Sequence, residues 1–295
     1  MSVIANVLCT PNRLEMLLRA IGAMPGGVAR QELIGRLSPA VLREDAGDEG
    51  GQGKPMAANV LEEALKLGLV ETRDNVLVLA DPMILKAGRL AAWLHEHLLS
   101  VEFADAIGQR AFPRALAWFL GQDPMHPIPA ESAQAMLLDQ YGNGADLFEL
   151  ASPQPFQQFA YWARYLGYGT YLPINRVKAV FQPDPTVAVA RIVQSSIRDH
   201  QAVPIRTFVQ RLAEASPVLD GGATRAIVEG QLPADRQADI ELGVSRTLSF
   251  ALACLEEMGQ ISLVSTADAP SLLLAVGDVR RSVTHVSVAV GVHRA

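Results

Sequence analysis

The sequence predicts a mainly α-helical fold with small β-hairpins, organised as tandem winged-helix units, and three observations predict it. The first eighty residues read as three helices followed by a hairpin. An apolar helix ending in glycine recurs at Gly68, Gly167 and Gly259 in matching contexts. With 295 residues, 49% hydrophobic and 19% charged, the chain can bury several small cores and is not disordered as a whole.

Thr10-Pro11 opens the first helix, because threonine caps free amides and proline is favoured at the first helical position. Leu14, Leu17, Leu18 and Ile21 follow at helical spacing, and Pro25-Gly26-Gly27 ends the run. Gln31 to Leu37 forms a second short helix with Leu33, Ile34 and Leu37 inward, stopped by Ser38-Pro39. Residues 44–54, rich in glycine with four acids, predict a flexible surface loop. A third helix spans Met56 to Leu67 on an apolar face of Val60, Leu61, Ala64, Leu65 and Leu67, and Gly68 closes it. A β-hairpin from Leu69 to Leu79 turns at Arg73-Asp74-Asn75.

The recurrence sharpens this reading. One residue before each glycine stands Leu67, Leu166 or Met258; four before stands Ala64, Ala163 or Leu255; seven before stands Leu61, Ala160 or Leu252. Two of the three glycines lead into hairpins, at Leu69–Leu79 and at Gln260–Val276 with its tip at residues 266–270. The middle copy offers at most one clear strand, at Leu166–Leu172. The predicted organisation is an N-terminal winged helix over residues 1–82, a linker helix over 83–100, a middle winged-helix-like unit over 101–183 and a C-terminal winged helix over 184–295. Ala111–Leu120 and Ala133–Tyr141 supply the first two helices of the middle unit, and Val187–Ile197 and Ile205–Ala213 those of the last. Residues 220–239 read as an insertion, and a late strand carries Val283, Val286, Val288 and Val290.

Composition excludes several classes. Net charge is −6, so no whole-molecule basic field exists for nucleic acid. Two distant cysteines, Cys9 and Cys254, make no disulfide framework and sit in no Cys/His cluster, which points to a reducing, cytoplasmic setting. No basic leader opens the chain and no run of 18 apolar residues occurs, so neither a signal peptide nor a membrane span is expected.

Reactive chemistry is equally hard to place. Gly50-Gly51-Gln52-Gly53-Lys54 has no preceding strand and no Ser or Thr after the lysine, so it lacks the P-loop spacing. His95 and His97 point to different helix faces, against the i, i+4 spacing of a zinc helix. Glu62-Glu63 and Glu256-Glu257 are neighbours that diverge on helices, and no GxSxG elbow occurs. The expectation is a protein that is not an enzyme and holds no cofactor or metal.

A DNA-reading winged helix lays its third helix in the major groove. Here the first unit offers Asn59, Glu62, Glu63 and Lys66 there; the last begins with Ser245, Arg246, Thr247 and Ser249 but ends in Glu256-Glu257. Acidic third helices suit docking to proteins. The middle unit differs: residues 151–183 contain no acid. If the protein touches DNA, the candidate residues are Gln157, Gln158, Tyr161, Arg164, Tyr168, Arg176 and Lys178, the first five on a shared exposed face. Phe156, Phe159 and Trp162 are core, and the competing reading makes the remaining aromatics core as well.

The opening Asn6-Val-Leu-Cys-Thr-Pro-Asn-Arg-Leu14, the length, and helices ending in Leu-Gly-Leu-Val or Met-Gly-Gln-Ile resemble the DpdG proteins. These are bacterial components encoded with the machinery that places 7-deazaguanine derivatives in DNA and restricts unmodified phage DNA. The resemblance implies an accessory role in phage defence inside a multiprotein assembly, with other subunits of the complex and double-stranded DNA as partners, and assigns no catalytic residues. The alternative is a winged-helix transcription regulator that binds a palindromic operator as a dimer; an enzyme without a recognisable motif comes third.

Overall fold

The computed structural model describes residues 2–6, 8–39, 55–150, 152–174, 179–196, 202–233 and 244–288. Helices dominate, and four small antiparallel sheets lie among them. The predicted loop at 44–54 lies outside the described residues.

The first eighty residues form α1 (Pro11–Gly22), α2 (Arg30–Leu37), α3 (Met56–Lys66), β1 (Val70–Arg73) and β2 (Val76–Leu79). Thr10 caps α1 by accepting from the Arg13 amide, with proline at the first turn. Asp74 and Asn75 take positive φ at the β1–β2 tip, a turn whose twist matches the strands it joins. Between α1 and α2, Val28 bridges Leu77 of β2. A 3₁₀ turn at Pro82–Leu85 precedes α4 (Arg89–Leu99), so the expected linker helix is shorter and begins after a turn at residues 86–88. The short α5 (Val101–Ala106) follows.

The same order then repeats twice. The second copy runs α6 (Ala111–Leu120), β3 (Ile128–Pro129), α7 (Ala133–Tyr141), α8 (Pro153–Leu166), β4 (Gly169–Pro173) and β5 (Ala179–Pro183). The third runs α9 (Thr186–Ser196), β6 (Val203–Pro204), α10 (Ile205–Ala215), α11 (Ala223–Glu229), α12 (Arg246–Glu257), β7 (Ile261–Val264), β8 (Leu272–Val276), β9 (Val279–Val283) and β10 (His285–Val288). In each copy the strand or bridge between the first two helices pairs antiparallel with the last strand: Val28 with Leu77, β3 with β5, β6 with β10.

Two expectations are corrected. The middle copy has three strands, with β4 paired along its length to β5 from Gly169–Pro183 to Pro173–Ala179. In the third copy β7 pairs with β10, not with β8. A separate β8–β9 hairpin is inserted between them, turning at Gly277-Asp278. The stretch read as an insertion, residues 220–239, carries α11.

The three glycines share one capping geometry. Gly68, Gly167 and Gly259 all take positive φ. Their amides donate to Leu65, Arg164 and Glu256. The next amides, of Leu69, Tyr168 and Gln260, donate to the carbonyls of Ala64, Ala163 and Leu255. This Schellman-type closure satisfies end carbonyls that an α-helix leaves unpaired. A fourth closes α5 at Gly108. One continuous apolar core runs through all three copies, from Val3 and Ile4 to Val283 and Val286. Among the described residues no helix is long and apolar enough to cross a membrane.

Candidate nucleic-acid interface

Helix α8 has two faces of opposite character. Phe156, Phe159 and Trp162 point inward and pack edge-on or tilted against Phe112, Phe119 and Phe181. Gln157, Tyr161 and Arg164 lie on the outer face, at i, i+4 and i+7, and all three are exposed. The Gln157 amide nitrogen reaches the Tyr161 hydroxyl at 3.5 Å. The outer stripe therefore combines one guanidinium, one phenol and one carboxamide, groups that can meet phosphates and bases.

Two residues expected on that face point the other way. Gln158 is buried at 3% exposure. It sits four residues before Trp162, in phase with the core, and its amide nitrogen donates to the carbonyls of Val3, Asn6 and Cys9 at 3.4, 3.1 and 2.5 Å. Tyr168 is fully buried, because the chain has already turned past Gly167 towards β4. Its hydroxyl lies 2.6 Å from His95 Nε2 and 2.5 Å from Ser216 Oγ, linking α4, the second copy and the third. Burial, then the nearby Arg191 charge, lowers His95 to about 4, against a weaker opposing effect of Glu96. Arg176 and Lys178 lie outside the described residues.

The corresponding helices of the other copies also spend polar groups inward. In α3, Glu63 is buried rather than exposed as expected, and Gln109 Nε2 donates to it at 2.6 Å. Gln109 Oε1 in turn accepts from the Val3 amide at 2.7 Å. Trp162 Nε1 donates to the Cys9 carbonyl at 3.1 Å. Val3, Asn6 and Cys9 are thus clasped between the first and second copies; Ser2 also donates to Glu149. In α12, Thr247 and Ser249 are buried. Thr247 donates to the Gln122 carbonyl at 2.8 Å, Ser249 accepts from the Ala275 amide at 3.1 Å, and Ser245 caps the helix by accepting from the Leu248 amide at 3.1 Å. Arg246 pairs with Asp123 at 3.1 Å. Side chains that a DNA-reading helix would offer to bases here hold the protein to itself.

Burial raises both thiols, Cys9 with a further push from Glu63, so neither carries an activated thiolate. Among the described residues no cluster of His, Cys, Asp or Glu could hold a metal ion. Sequence reasoning missed a cleft between the second and third copies, lined by Arg225, Arg246 and Arg280, whose residues are scattered along the chain. A DpdG-like family model matches residues 1–269. No curated protein and no solved structure matches the chain.

Proposed function

Because the chain belongs to the DpdG-like family, we propose that it is a non-catalytic accessory subunit of a bacterial DNA-modification or anti-phage defence system. In this reading it is a cytoplasmic adaptor of three fused winged-helix repeats that docks partner proteins and touches double-stranded DNA along one stripe. The repeated strand pairing supports the winged-helix assignment: a strand between the first two helices, pairing with the last, is the order a winged helix requires.

One observation carries the adaptor reading. The helix that would read DNA in each repeat is committed inward, through Glu63, Gln158 and Thr247 to bonds that reach beyond its own repeat, and through Ser249 to the β8 strand of its own. A regulator needs that helix free to enter a groove; a scaffold needs the opposite, a stiff body with fixed outer surfaces. The exposed face left on α8, with Gln157, Tyr161 and Arg164, is where DNA contact is proposed, and Arg176 and Lys178, which follow β4 in sequence, are kept as candidates for their charge.

Co-purification from the native host tests the main claim. A stable set of partner proteins is expected; a lone dimer bound to a specific palindrome would replace the adaptor with the regulator. For the stripe, reversing the charge of Arg164, Arg176 and Lys178 together is expected to abolish a salt-sensitive gel shift with duplex DNA. An unchanged shift would dismiss the stripe.

A further inference from the structure

Where the second and third repeats meet, the described residues leave a cleft of about 510 Å³, within the range of small-ligand sites. Three arginines line it, Arg225 from α11, Arg246 from the start of α12 and Arg280 from β9. Arg225 is only 4% exposed. Its Nη1 donates to the Ala117 carbonyl at 2.7 Å and its Nε pairs with Glu229. Position 121 is a glycine, and a Cβ there would stand 3.3 and 3.4 Å from the two terminal nitrogens of Arg225, so the small residue leaves the guanidinium its place.

The acids around the cleft are already engaged. Asp220 accepts from the Ser245 amide at 2.6 Å and its hydroxyl at 2.9 Å. Glu229 holds Arg225, and Asp123 holds Arg246. The Arg280 side chain is exposed and has no hydrogen-bond or ion-pair partner among the described residues. The N-terminal turn of the twelve-residue α12 opens on the same space and adds its positive dipole end.

Uncharged groups share the lining. Gln140 and Gln122 bond to each other at 3.0 Å, and Trp118 Nε1 donates to Gln140 at 2.7 Å, which fixes both carboxamides. Tyr141 and Leu273 add aromatic and apolar surface. The cleft thus combines donors suited to a compact anion with surface suited to a flat group that can hydrogen-bond.

We propose that this cleft binds a free nucleotide, with its phosphate towards Arg280 and Arg246 and its base towards Tyr141 and the Gln140 carboxamide. The site shares no residue with the DNA-contact stripe above, and neither proposal depends on the other. Because the Arg280 side chain bonds to no other described group, replacing it is expected to leave the fold intact while removing the open donor.

Isothermal titration of the full chain tests the proposal with AMP, GMP, CMP and UMP, with inorganic phosphate, with a phosphate-free nucleoside and with a short single-stranded oligonucleotide. At least one mononucleotide is expected to saturate the protein more tightly than phosphate or the nucleoside. Arg280→Glu is expected to weaken it about tenfold or more, with the melting temperature of the ligand-free protein unchanged, and Arg246→Gln to weaken it as well. The proposal is overturned if no mononucleotide saturates at millimolar concentration, or if phosphate alone binds as tightly. Binding of the oligonucleotide only, or full affinity retained in both variants, overturns it too.

Discussion

The two junctions between repeats are built in opposite ways. The first is filled: Val3, Asn6 and Cys9 lie between the repeats, and the buried polar groups there pair with one another, from Glu63 through Gln109 and Val3 to Gln158, Cys9 and Trp162. The second is open: Arg225 and Thr247 tie α11 and α12 to the second repeat, yet a cleft remains beside them with donors to spare. Buried polar groups are costly unless bonded, so a junction with every group paired serves stability. A junction that keeps arginines facing an open space has paired less than it presents, and that surplus is where a ligand would be met.

Substitutions can break or sharpen this contrast. The largest effect is expected at the filled junction: Trp162→Ala should destabilise the protein by about 3–5 kcal/mol, through the lost ring and the unmet Cys9 carbonyl. Chemical denaturation measures it, and a loss under about 1 kcal/mol would mean that the clasp is not a stability element. Next comes pH. With His95 lowered to about 4 in the folded chain and near 6.5 when unfolded, the unfolded state takes up the proton first. Stability is then full above pH 6.5 and falls as pH drops towards 4, by up to about 3 kcal/mol. His95→Gln should flatten that part of the melting-temperature profile; an identical slope in the variant would remove His95 as its source.

At the open junction, Arg225→Met should cost about 2–3 kcal/mol, since it strands the Ala117 carbonyl and the partly buried Glu229. A neutral result would make the second junction purely apolar in energetic terms. The glycine caps follow. Alanine at Gly68, which has open space around it, should cost about 1 kcal/mol. At Gly167 a Cβ would meet the Ala188 nitrogen and Val187 Cβ at 3.0 Å, so alanine there should cost about 2 kcal/mol or more. Equal melting temperatures for the two variants would deny that the second cap is packed against the third repeat. The smallest effect is expected at the outer stripe, where Arg164→Glu should change stability by no more than about 0.5 kcal/mol.

Much of the fold was legible wherever the signal is local. Thr10-Pro11 marks a cap, Asp74-Asn75 a tight turn, and the three aligned glycines end helices with identical bonds, because cap and turn chemistry is written in adjacent residues. Strand pairing was less legible. Ile128-Pro129 is too short to carry an alternation, and its partner Phe181 lies some fifty residues on. β7 has the apolar β8 close behind it in sequence, yet pairs with β10 beyond an inserted hairpin. The outer stripe was half legible. Composition singled out α8, but Gln157 and Gln158 are alike in type and only helical phase separates them; the 158, 162, 166 register would have sent Gln158 inward. The cleft was illegible, since residues 225, 246 and 280 meet only through tertiary packing.

The clasp on Val3, Asn6 and Cys9 also sets a timetable for synthesis. Val3 and Ile4 are fully buried in the finished protein, but Gln158 and Trp162, which hold that segment, are made about 150 residues later. At ribosomal speed the gap is roughly 8–30 s, during which the nascent amino-terminal stretch has no permanent lodging. Its apolar side chains are then open to chaperones, and the first repeat is completed only once the helix carrying Gln158 and Trp162 has been made.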